Sequence, residues 1–364
     1  MLKSRLNIPI IDRATLLGLI MKKYPYSIAV SGTHGKTTTT SMISVILLKS
    51  GLNPTIHVGG ELDSIGGTTR IGNGRYLVAE ACEYYESFLK FSPFMAIINN
   101  IEYDHADYFT SIEHVKQTFL KFASLVPENG YVIANADDLN VSSLLDNIHC
   151  NKITYGLKSR DVMWTAKNIV FDSLGCASFK LIYNGNEITE IKLNVPGVHN
   201  IINALAASAA CYTLGCSADS IRLGFENFFG THRRFELKGI INNVKVIDDY
   251  AHHPSEIKAT LKAARNSAYS KIWCVFQPHT YSRTEKLLYE FSEAFAEADE
   301  VVLAEIFSSA REKKSGHDSI SSAKLAELIN KKGIKTRYFP TLEEISSYLN
   351  ATLKEDDLVI TLGA

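Results

Sequence analysis

Length, composition and charge limit the classes of protein to which this 364-residue chain can belong. Hydrophobic residues make up 46% of it and charged residues 21%, as in soluble globular proteins, and the length predicts two or three domains. A formal net charge of −1, without a run of Lys and Arg, argues against nucleic acid as a partner. No apolar stretch is long enough to cross a bilayer, so we expect no membrane partner.

The cysteines and the N-terminus point to a reducing compartment. The six cysteines include no Cys-x-x-Cys pair, which predicts free thiols rather than disulfides or a zinc site. The first residues are not followed by the apolar core of a signal peptide. We therefore expect a cytoplasmic protein.

The sequence between residues 26 and 232 predicts one sheet. Residues 1–25 predict a strand end at 8–11 and a helix at 13–21, but no complete domain. Strands and helices then alternate, which favours a parallel sheet with helices on its faces. Alternating apolar and polar residues around the turn 184–187 predict an antiparallel hairpin. The predicted strands are 26–31, 76–79, 95–99, 131–134, 177–183 and 188–193, and the predicted helices are 36–50 and 111–125.

A second α/β unit is predicted at the C-terminal end. Residues 200–214 are rich in alanine and apolar on nearly all sides, which predicts a buried helix, and 218–228 predict another. Alternation resumes beyond residue 232 and predicts a Rossmann-like unit. Its predicted strands are 245–248, 271–276, 300–303 and 357–361, and its predicted helices are 255–266, 283–297, 319–331 and 341–350.

The predicted fold class is therefore α/β. A central, P-loop ATPase-like parallel sheet carries a small antiparallel annex and is followed by a Rossmann-like C-terminal domain. The predicted divisions of the chain are 1–25, 26–232 and 233–364.

The most informative stretch is Ser-Gly-Thr-His-Gly-Lys-Thr-Thr-Thr-Thr at residues 31–40, between an apolar strand and a helix. Gly32 and Gly35 permit backbone angles at which successive N–H groups surround a phosphate at a helix N-terminus. Lys36 supplies a positive charge, and Thr37 stands where a P-loop places its Mg²⁺-binding hydroxyl. Only two residues separate the glycines, instead of the four of a standard P-loop, so an ordinary turn is the alternative.

Acidic and imidazole groups follow the neighbouring strands. Glu80 ends one strand, and Asp104 and His105 follow the next. Because ligands of an open α/β sheet lie beyond the carboxyl ends of its strands, we expect these groups near the phosphates. Carboxylate oxygens suit Mg²⁺, and a histidine suits a second metal or orients a water. The alternative is a plain turn at 104–105 and a strand-end charge at Glu80.

Further polar groups occur near the predicted domain boundary. Asn200 and Asn203 lie three residues apart on one helix face and can hold a nucleotide base or ribose. Asn200 can equally be an N-cap. Arg233 and Arg234 offer guanidinium groups for phosphate, or only surface charge.

Two polar segments follow strands of the C-terminal unit. Segment 248–254 contains two Asp, a Tyr and two His, which are costly to bury as mere packing and so indicate a site. Segment 277–283 ends in Arg283, which can bind a substrate carboxylate or simply begin a helix. The polar loop 304–312 faces the same crevice, and its role is open.

Taken together, these ordered motifs resemble the Mur ligases of peptidoglycan synthesis over essentially the whole chain. The likeness is strongest to members that join L-alanine to UDP-N-acetylmuramate. It implies an ADP-forming carboxylate–amine ligase that uses ATP and Mg²⁺ and works through an acyl phosphate. The matching motifs are Gly-Thr-His-Gly-Lys-Thr-Thr at 32–38, Glu80, Asn-Ile-Glu-Tyr-Asp-His at 100–105, His-Asn-x-x-Asn at 199–203, Arg-Arg-Phe-Glu at 233–236, Asp-Tyr-Ala-His-His-Pro at 249–254 and Phe-Gln-Pro-His-x-Tyr-x-Arg at 276–283.

The resemblance also implies roles for individual residues. The implied catalytic residues are Lys36, Glu80 and His105. The implied metal ligands are Thr37, Glu80 and His105, with His105 on a second Mg²⁺. The implied ATP contacts are Gly32, Thr33, His34, Gly35, Lys36, Thr37, Thr38, Asn200, Asn203, Arg234 and Asp249. The implied amino-acid pocket is formed by Tyr250, His252, His253, His279 and Arg283.

Two of the chain's departures from the family pattern bear most directly on its function. Cys82 replaces a carboxylate of the usual Glu-Ala-Asp-Glu motif. Family members begin with a UDP-binding domain of about 100 residues, and residues 1–25 resemble only its end, so we expect most of that domain to be missing. Two alternatives stay open. Residues 99–107 are also compatible with a murein peptide ligase, which attaches a recycled tripeptide to the same sugar nucleotide, although residues 250–283 favour the smaller acceptor. The missing domain leaves open a nucleotide-binding remnant without ligase activity.

Overall fold

The structure is a computed structural model that describes residues 10–105, 107–266, 269–308 and 320–364. The described residues form two β-sheets with helices packed on them. In chain order, the strands are β1 (Tyr26–Ser31), β2 (Thr55–Leu62), β3 (Gly67–Arg70), β4 (Tyr76–Glu80), β5 (Met95–Ile98), β6 (Tyr131–Asn135), β7 (Asn151–Tyr155), β8 (Trp164–Phe171), β9 (Cys176–Tyr183), β10 (Asn186–Pro196), β11 (Glu236–Ile241), β12 (Val244–Asp249), β13 (Ile272–Phe276), β14 (Glu300–Leu303), β15 (Lys335–Tyr338) and β16 (Leu358–Leu362). The helices are α1 (Arg13–Met21), α2 (Lys36–Lys49), α3 (Ile112–Ala123), α4 (Leu139–Ser142), α5 (Val198–Thr213), α6 (Ala218–Glu226), α7 (Pro254–Arg265), α8 (Tyr281–Lys286), α9 (Leu288–Ser292), α10 (Ser322–Lys331) and α11 (Leu342–Thr352).

The first sheet has ten strands in the order β10-β9-β8-β7-β6-β5-β1-β4-β2-β3. β1 is parallel to both β4 and β5, and parallel pairing continues to β2 on one side and to β8 on the other. Antiparallel pairing joins β8, β9 and β10. The predicted parallel sheet with an antiparallel annex is therefore confirmed, although β2, β3, β7 and β8 were not predicted.

Helix α5 packs closely against α2 because its side chains are small. Its alanines at 204, 206, 207, 209 and 210 are fully buried, and they share one apolar cluster with Ile43 and Ile46 of α2. The predicted buried helix is confirmed. This packing holds the N-terminal end of α2 at the carboxyl edge of β1, where the glycine loop (residues 32–38) lies.

The second sheet has six strands in the order β11-β12-β16-β13-β14-β15. All its neighbouring strands are parallel except the edge pair β11 and β12. The predicted second α/β unit is confirmed, and β11 and β15 are additions to the predicted strands. Residues 227–235 connect α6 to β11, and the predicted domain divisions stay a prediction.

Two predicted elements are wrong. In the predicted strand end at 8–11, residues 8 and 9 lie outside the described residues, and Ile10 and Ile11 are exposed and pair with no strand among the described residues. The predicted helix at 283–297 is instead the two short helices α8 and α9. Leu287 separates them, because its backbone angles, φ −108° and ψ 22°, are not helical.

The sequence also predicts free thiols and no segment that crosses a membrane. All six cysteines are free, and five of them are buried. Within the described ranges, no helix is both long enough and apolar enough to cross a membrane.

Replacing Gly224 with alanine tests the close packing of α6 on α2. A Cβ at this position would lie 2.4 Å from Cγ1 and 2.8 Å from Cα of Ile46, so one helix would have to shift. We expect the free energy of unfolding to fall by about 1–3 kcal/mol, measured in urea. Gly239→Ala is the matched control, because a Cβ there would meet no atom within 4 Å. Equal losses in the two variants would contradict the packing argument.

Candidate active site

The glycine loop follows β1 and leads directly into α2. Gly32 has φ +138° and Gly35 has φ +78°, angles that other residues rarely adopt. A Cβ on Gly32 would lie 2.9 Å from Cβ of Asn99, and a Cβ on Gly35 would lie 2.5 Å from Oδ1 of Asn203. No side chain caps the N-terminus of α2, so its first N–H groups suit an anion.

Lys36 forms a buried ion pair with a residue that the sequence did not single out. Its Nζ lies 3.2 and 3.1 Å from the two carboxylate oxygens of Glu83, and it also donates to the carbonyl of Thr33 at 3.0 Å. Burial alone would lower the pKa of Lys36, but Glu83 raises it above its ordinary value. The lysine is therefore charged and lies across the glycine loop.

Two of the three predicted metal ligands touch each other. The Thr37 hydroxyl donates to Oε2 of Glu80 at 2.9 Å, and the Gly59 N–H donates to the same oxygen at 2.9 Å. A hydroxyl and a carboxylate are hard oxygen donors of the kind that Mg²⁺ prefers. The two predicted ligands are thus held together at the N-terminus of α2.

The third predicted metal ligand, His105, lies beside other carboxylates. Its Nε2 is 3.8 Å from Oε1 of Glu83 and 3.9 Å from Oδ2 of Asp104. Its ring stacks on Tyr84 with centroids 4.4 Å apart, and its φ is +50°. His105 is therefore linked to Lys36 through Glu83.

A cavity of about 240 Å³ lies between the two sheets, next to the glycine loop. Seven predicted ATP contacts line it, three in the glycine loop and four outside it, so these separate motifs meet at one cavity. Those residues are Asn200, Asn203, Arg234, Asp249, His34, Gly35 and Thr38.

The two asparagines form a chain of hydrogen bonds at the back of this cavity. Asn203 Nδ2 donates to Oδ1 of Asn200 at 3.1 Å, and Asn200 Nδ2 donates to the carbonyl of Pro196 at 2.7 Å. Helix α5 has Gly197 at its N-cap position, so the alternative interpretation of Asn200 as an N-cap is wrong.

Asp249 lines the cavity and also binds the backbone of the segment 227–235, which connects α6 to β11. Its carboxylate accepts hydrogen bonds from the N–H groups of Phe235 and Ala251, each at 2.8 Å. Burial raises the pKa of Asp249 to about 6, although the positive charge of Arg234 opposes this shift. The guanidinium groups of Arg233 and Arg234 lie 4.8 and 5.2 Å from the ring centroid of Tyr250.

Four of the five predicted amino-acid contacts form one group. The ring centroids of Tyr250 and His252 are 5.4 Å apart, and those of His252 and His279 are 6.4 Å apart. Burial lowers the pKa of His252 to about 4, so its ring is neutral at pH 7. Arg283 lies 3.4 Å from Nδ1 of His279.

Arg283 also reaches across to the first sheet. Its Nε donates to Oδ1 of Asp104 at 3.1 Å, and both side chains are largely buried. Burial alone would raise the pKa of Asp104, but Arg283 and then His105 hold it well below its ordinary value. The predicted amino-acid pocket and the predicted metal ligand His105 are therefore adjacent.

The fifth predicted amino-acid contact, His253, belongs to a different group. Its ring lies 4.9 Å from that of His34, and its Nδ1 lies 3.6 Å from Oε2 of Glu102. His34 Nδ1 in turn lies 3.0 Å from Oε1 of Glu256. Burial would lower the pKa of His34, but Glu256 and Glu102 raise it to about 10.

Sequence reasoning missed three carboxylates of the site, Glu83, Glu102 and Glu256. One of them carries a recognisable signal. Glu256 stands three residues after the N-cap His253 and accepts its backbone N–H at 3.2 Å, which is the spacing of a capping box. Glu83 and Glu102 stand within the motifs at 80–83 and 100–105, but the sequence analysis assigns no role to either carboxylate.

Thr33 anchors the glycine loop to the loop after β5. The Glu102 N–H donates to the Thr33 hydroxyl at 2.8 Å, and the His34 N–H donates to Oδ1 of Asn100 at 2.7 Å. These two hydrogen bonds fix the position of Glu102 relative to the glycine loop.

Two known domains match the chain. Residues 30–211 match the Mur ligase middle domain, and residues 233–364 match the Mur ligase glutamate ligase domain. The chain is 62% identical over 359 residues to the UDP-N-acetylmuramate–L-alanine ligase of Acetivibrio thermocellus, which is 99% of this chain and 76% of that protein. It is 51% identical to the protein of the same name from Caldanaerobacter subterraneus, over 99% of this chain and 78% of that one.

Solved structures show the same architecture. The UDP-N-acetylmuramate-alanine ligase MurC from Thermotoga maritima superposes with a TM-score of 0.78 at 30% identity, over 96% of this chain and 74% of that one. A murein peptide ligase from Psychrobacter arcticus superposes with a TM-score of 0.71 at 23% identity, over 100% of this chain and 79% of that one. The second likeness supports the fold alone.

Arg283→Met tests the buried ion pair between the two sheets. The variant leaves Asp104 buried without its cation, so we expect the free energy of unfolding at pH 7 to fall by up to about 3 kcal/mol. The deficit should narrow toward pH 5, because an unpaired buried Asp104 takes up a proton, whereas the wild-type carboxylate stays ionised. Thermal unfolding at the two pH values measures both effects.

The matched control for this prediction is Arg222→Met. Arg222 pairs with Glu226 on the exposed side of α6, with N and O 2.6 Å apart. A surface pair of this kind contributes less than about 1 kcal/mol. A deficit in Arg283→Met that equals the control, or that is independent of pH, would rule out the proposed charge compensation.

Proposed function

Because the chain belongs to the Mur ligase family, we propose that it joins L-alanine to UDP-N-acetylmuramate with the cleavage of ATP to ADP and phosphate. The observation that carries this proposal is the cavity beside the glycine loop, where Asn200, Asn203, Arg234 and Asp249 meet. The proposal places this reaction of peptidoglycan synthesis in the cytoplasm.

The glycine loop and the cavity supply two parts of a nucleotide site. The uncapped N–H groups of α2 and the ammonium group of Lys36 suit the phosphates of ATP. The amides of Asn200 and Asn203 and the carboxylate of Asp249 suit the hydroxyls and ring nitrogens of a nucleoside. Arg234 adds a positive charge at the same cavity.

The proposed reaction needs two bond-forming steps. A carboxylate oxygen of UDP-N-acetylmuramate attacks the γ-phosphorus of ATP, and the bond to the ADP oxygen breaks, which gives an acyl phosphate. The amine of L-alanine then attacks the acyl carbon, and the tetrahedral adduct loses phosphate and a proton. In the first step Lys36 stabilises the negative charge on the transferred phosphoryl group.

Magnesium fits the donors at the N-terminus of α2. Thr37 and Glu80 would hold one ion through a hydroxyl and a carboxylate that already lie 2.9 Å apart. His105, with Glu83 beside it, would be a ligand of a second ion. When bound, such ions neutralise charge on the phosphates during transfer.

The acceptor is proposed to bind at the C-terminal sheet. Arg283 can pair with the carboxylate of L-alanine, and the neutral His252 and the rings of Tyr250 and His279 limit the space around it. In the structure Arg283 already pairs with Asp104, so an incoming carboxylate shares or replaces that partner.

Acceptor dependence tests the proposed function. Phosphate release from ATP and Mg²⁺ is measured with UDP-N-acetylmuramate and, in turn, L-alanine, glycine, L-serine or the tripeptide of the recycling reaction. We expect release that requires both the sugar nucleotide and L-alanine. Release with the tripeptide alone would support the murein peptide ligase alternative, and ATP binding without any release would support the non-catalytic one.

Lys36→Met removes the cation of the glycine loop. We expect kcat for phosphate release to fall about 100-fold or more, because the developing charge loses its ammonium partner. Lys49→Met, at the exposed C-terminal end of the same helix, is the control and should retain wild-type kcat. Similar kcat values for the two variants would remove Lys36 from the proposed mechanism.

Gly35→Ala tests the nucleotide site without removing a charge. Its Cβ would lie 2.5 Å from Oδ1 of Asn203 at a φ of +78°, so the loop must move. A strain of about 1–3 kcal/mol predicts an ADP affinity that is weaker by about tenfold or more, measured by fluorescence titration with a labelled ADP. Gly51→Ala has a similar φ of +74° but meets no atom within 4 Å, so it should bind ADP normally. Equal losses of ADP affinity in the two variants would show that backbone strain, and not the contact with Asn203, causes the effect.

A further inference from the structure

Three metal-binding side chains from three separate elements meet between the two sheets. His34 lies in the glycine loop, Glu102 follows β5, and His253 precedes α7. One donor atom from each lies within 4.8 Å of the other two. Two imidazoles and one carboxylate are a donor set that suits Zn²⁺ and similar transition metals, whereas Mg²⁺ prefers oxygen alone.

The distances between the donors are close to those around a tetrahedral ion. Nε2 of His34 lies 3.4 Å from Oε2 of Glu102, and Nδ1 of His253 lies 3.6 Å from the same oxygen. Metal–donor bonds of about 2.0–2.2 Å separate neighbouring tetrahedral ligands by about 3.3–3.6 Å. Two of the three separations therefore need almost no change, and the third, which is at most 4.8 Å, would have to shorten if it exceeds this range.

The surroundings of His34 are those of a metal-binding histidine. Its second nitrogen, Nδ1, lies 3.0 Å from Oε1 of Glu256. A carboxylate that accepts the other ring N–H fixes the ring and directs the free nitrogen at a metal. Glu256 is itself held by the N–H of His252 at 3.0 Å, so its position does not depend on His34.

His253 is the most buried of the three side chains, which are 15%, 38% and 7% exposed for His34, Glu102 and His253. Its Nδ1 is the nitrogen that lies near Glu102. The Ser255 hydroxyl lies 2.7 Å from Nδ1 of His253 and 2.8 Å from Nε2 of His34. This hydroxyl, or a water in its place, is a suitable fourth ligand.

From this geometry we propose that His34, Glu102 and His253 form a transition-metal site of the Zn²⁺ class between the glycine loop and α7. The site is separate from the proposed magnesium site, whose donors are Thr37 and Glu80. A bound ion ties the glycine loop of the first sheet to the first turn of α7, which packs on the second sheet. It therefore stabilises the arrangement of the two sheets.

The competing explanation needs no metal. A proton on His34 can satisfy Glu102 and Glu256, because both carboxylates lie within ion-pair distance of the ring. Proton and metal compete for the same nitrogen, so metal binding must weaken as the pH falls. Spectroscopy distinguishes the two explanations, since only a bound ion gives a ligand-field spectrum.

Cobalt titration of the full, untagged chain at pH 8 tests the proposal, with excess Mg²⁺ to occupy oxygen-only sites. We expect one Co²⁺ per chain with the intense visible absorption of a four-coordinate ion, and displacement of Co²⁺ by Zn²⁺. Glu102→Gln removes a ligand from a partly exposed side chain outside any helix, so the variant should fold. Its Co²⁺ affinity should be at least about tenfold weaker, and that of Glu256→Gln should be weaker by a similar factor.

Two controls separate this site from other metal-binding groups. Glu80→Gln removes a proposed magnesium ligand, and Cys82→Ser removes the exposed thiol near the loop. Both variants should keep the visible spectrum. The proposal is overturned by a wild-type titration without that spectrum, by a spectrum unchanged in Glu102→Gln, or by a spectrum lost in either control. None of these readouts depends on ligase activity.

Discussion

The backbone path of the glycine loop depends on its close approach to two asparagine side chains. Gly32 and Gly35 take positive φ angles and pass so near Asn99 and Asn203 that any Cβ would clash. Asn203 reaches this point because the alanine-rich α5 packs tightly on α2. The loop, the N-terminus of α2 and one wall of the cavity are therefore positioned by the same packing, and a larger residue at any of these contacts would disturb all three.

The regular part of the fold is predictable from the sequence because buried parallel strands are continuous apolar runs bounded by polar loops. This rule holds for β1, β4, β5 and β6 and for the central strands of the second sheet. β2 contains Gly59 and Gly60, and β11 is an edge strand with exposed Leu237, so neither has the expected pattern. The break at Leu287 has no local signal, because the predicted helix 283–297 contains neither glycine nor proline.

The candidate site likewise has a part that the sequence predicts and a part that it does not. The glycines, Lys36 and the asparagines occur at spacings with a local mechanism, so the sequence alone could suggest them as candidate nucleotide contacts, and those roles stay predictions. Glu83 and Glu102 stand in loops, and their importance comes only from the cations that the fold brings to them, Lys36 and His34. The role of His253 in the amino-acid pocket stays a prediction, but the surroundings of this residue could not be predicted from the sequence either. Its neighbours on the chain, Tyr250 and His252, face the predicted pocket, whereas His253 faces the glycine loop.

Buried ion pairs connect the two sheets. Each apolar cluster of the described residues belongs to one sheet, whereas His34 with Glu256 and Asp104 with Arg283 join the two. Separating the sheets would break these two ion pairs, so the stability of the arrangement depends on which anions the cations meet. In the proposed reaction, phosphate competes with Glu83 for Lys36, and the alanine carboxylate competes with Asp104 for Arg283. Because Arg283 belongs to the second sheet and Asp104 to the first, binding of the alanine carboxylate is linked to the arrangement of the sheets, whereas the exchange at Lys36 takes place within the first sheet.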